Sequence, residues 1–399
     1  MSVPSTRRSA LIVGLATVLL LAACSSNDSA GSSSTPSPTS GASGPAGSAG
    51  TPDLSQVPDP PGFSGSIAAD GATFPQPVYE QWLTDYNQAY NDIQISYAGG
   101  GSGQGIKDIT SNVVQWAGSD APMKPEEQSA AEGQNGTPIF HIPTVFGAIV
   151  MAYNLEGVSD PINFTPDTIG QIFTGKITRW NDPALKTDNP NISFPDQAIT
   201  VVHRSDGSGT TNAFTSYLCD VSADWKAAVD PCAGKEVTWP VGLGGSGNPG
   251  VASTISSTPG ALGYVELAYA LQNSIPFGNV KNQSGTFVTP SLDSVAAAAN
   301  FSTIPDSLTF SAVNTDVADG YPITTATWIL IYKEQDKVSD DQARSEAVVH
   351  FLIWALNKGG DDAKALDYAV LPDALRQAAL ARVAEVTWNG TPIVDDLYK

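Results

Sequence analysis

From Ser66 onward, short apolar runs alternate with stretches whose apolar residues recur at helical spacing. Ile93-Gln94-Ile95-Ser96-Tyr97 alternates as a half-buried strand does, and a glycine-rich turn leads from it into the helical pattern Gly105-Ile106-Lys107-Asp108-Ile109. Ile199-Thr200-Val201-Val202-His203-Arg204 predicts another strand, again followed by a glycine turn and a helix over Thr211 to Leu218. Toward the C-terminus, Ser339-Asp340-Asp341-Gln342 reads as a capping box ahead of a helix through Ala347 to Leu356, with Gly359 as its C-cap. Strands alternating with helices predict an α/β chain with open sheets, and no repeat at solenoid spacing competes with that reading. Two longer runs, Ile142 to Tyr153 and Ile323 to Tyr332, are rich in β-branched residues and too short to cross a bilayer. They predict fully buried strands, either crossing between two lobes or lying in the core of a single domain.

The first segment follows other rules. Arg7 and Arg8 precede the apolar stretch Leu11 to Ala23, which ends in Leu21-Ala22-Ala23-Cys24. That is an export signal, and its ending resembles the bacterial lipobox, in which cleavage before the cysteine leaves a thiol that carries a diacylglycerol. Ordinary secretion with a nearby cut is the alternative. Two acyl chains hold a protein stably where one would be marginal. Residues 1–23 are thus expected to be a signal peptide, and Cys24 the lipidation point of a protein held at the outer face of the cytoplasmic membrane. Residues 24–62 are Ser, Gly, Thr, Pro and Ala with almost no bulky apolar side chains, a composition that cannot offset its ordering entropy and predicts a flexible tether.

Composition narrows the function. At 399 residues the chain has room for two lobes. Its net charge of −21 excludes nucleic acid as a partner and rules out long-range attraction of an anion. Any anion site must therefore be built locally. With Cys24 assigned to the export signal, Cys219 and Cys232 form a natural disulfide in an oxidising exterior, the alternative being two buried thiols. Closing so short a loop stabilises by about 3 kcal/mol at most.

Three places share one device, a small-residue turn that opens a predicted helix: Gly71-Ala72-Thr73-Phe74-Pro75, Gly99 to Gly105, and Asp206-Gly207-Ser208-Gly209-Thr210. The first amides of a helix lack intrahelical acceptors and lie at the positive end of its dipole, so such turns suit anions. Arg204, just before the third turn, has the geometry for a two-pronged contact with an oxyanion, and Asp206 is placed to orient its guanidinium. A surface ion pair is the ordinary alternative. Asp120, in Gly118-Ser119-Asp120-Ala121-Pro122, is either a turn-capping carboxylate or a site residue.

These runs closely resemble the phosphate-binding protein of the bacterial high-affinity phosphate importer. Phe173-Thr174-Gly175-Lys176-Ile177, Trp239-Pro240-Val241-Gly242-Leu243-Gly244-Gly245 and Gly260-Ala261-Leu262-Gly263-Tyr264-Val265-Glu266 extend the match in order from Ser66 to Tyr368. The resemblance implies a two-lobed periplasmic-binding-protein fold of type II, with the ligand cleft between lobe I (63–145 and 322–399) and lobe II (146–321). It implies phosphate contacts at Thr73, Phe74 through its backbone, Ser102, Asp120, Arg204, Ser208, Gly209 and Thr210. It also implies a monomer that needs no cofactor and works with the permease and ATPase subunits of an importer.

Asp120 then acquires a physical task. Hydrogen phosphate carries a hydroxyl that a carboxylate can accept, whereas sulfate at neutral pH does not. His203, next to Arg204, is expected to point away from it. A metal-dependent phosphatase would need clustered ligands, and His141, His203 and His350 are too scattered for that. No Gly-x-Ser-x-Gly elbow is present either. Sulfate, molybdate or a phosphate ester as ligand, and a role as an adhesin, are the other readings.

Overall fold

The computed structural model describes residues 52–399. The expected signal peptide, Cys24 and the first part of the expected tether lie outside the described residues.

The chain enters through β1 (Gly65–Gly71), α1 (Gln76–Ala89), β2 (Ile93–Ala98), α2 (Ser102–Thr110), β3 (Trp116–Ser119) and α3 (Pro125–Asn135). Strand β1 lies between β2 and β3 and is parallel to both, as right-handed strand–helix–strand units require. The long strand β4 (Ile139–Tyr153) follows, and every one of its residues is buried. Further on come β5 (Thr200–Arg204), α4 (Gly209–Val221), β6 (Leu243–Gly245), α5 (Gly247–Ser257) and β7 (Ala261–Glu266). The chain then returns through β8 (Thr324–Tyr332), α6 (Gln342–Lys358) and the short β9 (Ala369–Val370).

The strand order is β2-β1-β3-β8-β4-β7-β5-β6, with β9 also on β4. Strand β4 changes partner along its length. Ile139 to Ala148 run antiparallel to β8, and Ile149 to Tyr153 run antiparallel to β7. It is therefore the strand that crosses between the two halves of the molecule, and its double-sided burial explains why Ile142 to Tyr153 shows no polar alternation. Strand β8 is also wholly buried, but it pairs only with β3 and β4 and stays in the first half. Its register against β4 slips at Thr327/Trp328, opposite Pro143. A proline cannot donate to the ladder, so a bulge there is the accommodation.

Two local readings need correction. The cap of α6 is Asp341, whose side chain accepts from Arg344 N at 3.1 Å; Ser339 instead exchanges hydrogen bonds with the backbone of Asp341, and Gln342 plays no capping part. The competing side chain two residues later is simply closer to the free amides. Gly359 does end α6, with φ −73°, and it is glycine for packing reasons: a Cβ there would lie 2.4 Å from the Trp82 indole. The end of the expected tether is also bound rather than free. Asn357 donates to Leu54 O at 3.0 Å and Tyr398 to Gln56 O at 2.5 Å, and His350 Nε2 lies 3.1 Å from Pro58 O. Leu54 and Val57 pack against the core. Three side chains meeting alternate carbonyls order a segment whose own composition could not. Among the described residues, no helix is long and apolar enough to cross a membrane.

Candidate functional site

Each of the three small-residue turns opens a helix, and the three helix starts converge. Gly71 has φ +143°, and a Cβ there would sit 2.2 Å from Gly118 O, so only glycine lets β1 run this close to β3. The chain then turns through Thr73 and Phe74 into α1, with Pro77 in the first turn. Tyr269 donates to Thr73 O and Tyr368 to Phe74 O, both at 2.6 Å, which fixes this turn through its carbonyls. Gly101, at φ +92°, precedes α2; a Cβ on it would meet Asp206 Oδ2 at 2.5 Å. Ser102 follows, completely buried. At the third turn, Ser208 caps α4 by accepting from Thr211 N at 3.0 Å.

These elements come from opposite halves and touch. Ser102 Oγ accepts from Gly209 N at 3.0 Å and from Asp120 N at 3.2 Å. Gly103 N donates to Gly207 O at 2.8 Å. Beside them, Lys235 and Glu127 make an ion pair at 2.6 Å that joins the loop after Cys232 to α3. Cys232 is disulfide-bonded to Cys219 on α4.

Arg204 ends β5 with its side chain 1% exposed. Its Nε donates to Asp206 Oδ1 at 2.8 Å, its Nη2 to Asp206 Oδ2, and its Nη1 reaches Thr210 Oγ1 at 3.4 Å. Burial pulls the Asp206 carboxyl up, but the hydrogen bonds and charge of Arg204 outweigh it and leave Asp206 below the ordinary carboxylate range. Gly247 N donates to the same carboxylate at 2.9 Å, so the arginine is held from behind. One planar guanidinium edge remains for a ligand.

Asp120 faces this cation from the other half at 2% exposure. Thr327 donates to its Oδ1 at 3.1 Å, from the point where the register of β8 against β4 slips by one residue. Burial raises the Asp120 carboxyl to about 7, against the opposing pull of Arg204, Thr327 and Ser102. A carboxyl balanced there accepts a proton-bearing ligand oxygen when ionised and donates to a bare one when protonated.

The match to known proteins follows this geometry. Residues 34–358 fit the model of the PBP superfamily domain. The phosphate-binding protein PstS of Xylella fastidiosa is 38% identical over 315 residues, covering 78% of this chain and 83% of the relative. PstS of Methanocaldococcus jannaschii is 32% identical over 334 residues, covering 79% and 85%. The chain belongs to the PstS family of phosphate-binding proteins. Solved structures support the two-lobed fold: a high-affinity periplasmic phosphate-binding protein bound with phosphate superposes with TM-score 0.66 at 21% identity, covering 84% of this chain and 98% of that one. A phosphate-binding protein from Stenotrophomonas maltophilia gives TM-score 0.62 at 20% identity, covering 80% and 94%.

In this PstS-family chain, Ser102 touches both Asp120 and Gly209, Arg204 reaches Thr210, and Asn248 links Thr210 to Thr73, with Phe74 and Ser208 next in the chain to these residues and Asp206 behind the arginine. The histidines stand apart from it. His203 Nδ1 turns to Arg204 O at 2.9 Å and its ring stacks on Trp239. His141 accepts from Met123 N at 3.0 Å, and burial, then the charge of Lys235, lowers it to about 4. His350 lies beside Tyr86.

Sequence reasoning missed Asn248 and Glu266. Asn248, at the start of α5, is fully buried and donates through Nδ2 to both Thr73 Oγ1 and Thr210 Oγ1 at 3.1 Å. Glu266 is fully buried, and desolvation holds its carboxyl well above the ordinary range. Its Oε2 lies 3.1 Å from the Tyr368 hydroxyl that donates to Phe74 O, so the carboxyl stands behind the first turn. Glu266 ends the quoted run from Gly260 but was given no role there; the runs Trp239 to Gly245 and Gly260 to Glu266 flank α5, and a polar side chain in its first turn was the available signal for Asn248.

Proposed function

We propose that this chain captures inorganic phosphate in the cleft between its lobes and delivers it to an ABC-type importer composed of permease and ATPase subunits. The observation that carries this reading is the opposition, where the two halves meet, of the buried Arg204 guanidinium and the buried Asp120 carboxyl. The phosphate oxygens take donors from Thr73, the Phe74 amide, Ser102, Arg204, Ser208, Gly209 and Thr210. Asp120 accepts the one proton that hydrogen phosphate carries. Arginine attracts any oxyanion, so the choice against sulfate falls to the carboxylate, and a mismatch of this kind discriminates by about 10⁴-fold or more.

Residues 63–145 with 322–399 form lobe I and residues 146–321 form lobe II, and ligand binding pulls the two together. Hydrogen bonds from Gly103 N to Gly207 O and from Asn248 N to Thr73 Oγ1 are the contacts that closure makes and opening breaks. The protein acts as a monomer, and its role is to bind and hand over the anion rather than to turn it over. Leu21-Ala22-Ala23-Cys24 makes it a lipoprotein, anchored at the outer face of the cytoplasmic membrane through Cys24.

Titration calorimetry of phosphate-free protein with phosphate, sulfate and molybdate tests the reading. Tight binding of phosphate with weak or no heat from the other two is expected. Comparable affinity for all three, or none for phosphate, would overturn it.

A further inference from the structure

A threonine hydroxyl has one proton to give and two places to accept. In this cleft, the accepting places of two threonines are already filled. Thr73 Oγ1 receives Asn248 N at 3.0 Å and Asn248 Nδ2 at 3.1 Å. Thr210 Oγ1 receives Asn248 Nδ2 at 3.1 Å and Arg204 Nη1 at 3.4 Å. All of these partners are N–H groups that cannot reverse their role. The amide itself cannot flip, because Glu266 N donates to Asn248 Oδ1 at 3.1 Å and so points the two Nδ2 protons at the two threonines.

We infer that Asn248 is a positioning residue that sets the hydrogen-bond polarity of the cleft: by filling both accepting places of Thr73 and, with Arg204, those of Thr210, it forces the two hydroxyls to present only protons to the ligand. The side chain does this for one hydroxyl from each half, so the arrangement exists in full only when the halves meet. Its consequence for recognition is that donors line the cleft and the Asp120 carboxylate is left as the acceptor. A ligand rich in acceptors with a single proton fits, and a ligand with several donors finds nowhere to place them. This inference rests on the phosphate-binding reading above and adds to it the source of the threonines' direction.

The test is a double-mutant cycle on the full chain, read by phosphate calorimetry. Asn248→Leu, close in volume, lacks both donors. It should weaken phosphate binding by about 10- to 100-fold, the range for hydrogen bonds to a charged partner. In a Thr73→Val/Thr210→Val background the same change should cost less than about twofold, because no hydroxyl remains to be aimed. An equal factor in both backgrounds would mean that Asn248 only supports the fold, and the inference would be wrong. Asn248→Ala serves in the same cycle if the leucine variant does not fold. Neutron diffraction on the unaltered protein is independent of any variant: deuterons of both hydroxyls pointing into the cleft are expected, and one pointing at Asn248 overturns the proposal. Failure of the unaltered protein to bind phosphate would sink the functional reading, while the neutron result would still judge Asn248.

Discussion

Replacing Asp120 by asparagine keeps the shape of the side chain and exchanges an acceptor-only carboxylate for an amide that also donates. On the proposed reading the carboxylate accepts the phosphate hydroxyl, a hydrogen bond to a charged group worth about 1.5–3 kcal/mol. Its loss should weaken phosphate binding by about 10- to 150-fold. Sulfate gains instead, because an N–H replaces a buried negative charge that faced it without a proton between them. The phosphate-to-sulfate ratio, about 10⁴ or more in a matched site, should fall to within about tenfold. A second consequence follows from burial. Raising the carboxyl from 3.8 to about 7 corresponds to about 4 kcal/mol of ionisation cost in the folded chain, as an upper figure. Between these two values the folded state keeps a proton that the unfolded state has released, so the unaltered protein loses stability as pH rises through that window. The asparagine variant pays no such cost. Its phosphate-free melting temperature should exceed that of the parent at pH 8 and not at pH 4. Calorimetry with both anions, together with melting curves at the two pH values, checks both consequences. Equal weakening of phosphate and sulfate would refute the role given to Asp120.

Sulfate keeps a constant charge from pH 5 to 8, so its affinity isolates Asp120: binding should tighten as pH falls below about 7 and stay flat in Asp120→Asn, as a pH series by calorimetry would reveal. Arg204→Ala removes a cation common to all oxyanions and leaves Asp206 unpaired. Both phosphate and sulfate should lose about 2–5 kcal/mol with their ratio little changed, and a selective loss of either would count against the assignment. Lys235→Met breaks the ion pair with Glu127, whose two side chains are 8% and 26% exposed. Phosphate release in stopped flow should quicken by about tenfold with the association rate nearly unchanged, whereas an unaltered release rate would deny the pair any part in holding the halves together. Gly359→Ala would place a methyl 2.4 Å from the Trp82 ring and 2.8 Å from Ala355 O, costing about 1–3 kcal/mol of stability, seen as a lower melting temperature at unchanged phosphate affinity.

The parts of the site that were legible in the sequence are those whose chemistry is local. Gly71, Gly101 and Gly209 mark helix starts because the backbone there allows nothing larger, and Arg204 and Asp206 lie two residues apart on one turn. Asp120 was ambiguous alone, since a turn carboxylate and a site carboxylate look identical until the element opposite is known. Asn248 and Glu266 were hidden because their roles depend on Thr73 and Tyr368, 175 and 102 residues away. The ion pair of Lys235 with Glu127 spans 108 residues and leaves no trace in either neighbourhood. The crossing strand shows the same limit. Ile142 to Tyr153 and Ile323 to Tyr332 looked alike as buried runs, yet only the first changes partners between the halves, a matter of register that hydrophobicity does not encode. Composition misjudged residues 52–62 for a related reason, because their order comes from Asn357, Tyr398 and Leu54's neighbours in the core.

A crystal structure of the protein with phosphate tests the account most directly. The predicted result is a phosphate enclosed between Thr73, Ser102, Arg204 and Thr210, with one of its oxygens at short hydrogen-bond distance from an Asp120 carboxylate oxygen and the remaining oxygens facing only donors. Phosphate bound elsewhere, or bound in this cleft with its proton directed away from Asp120, would contradict it.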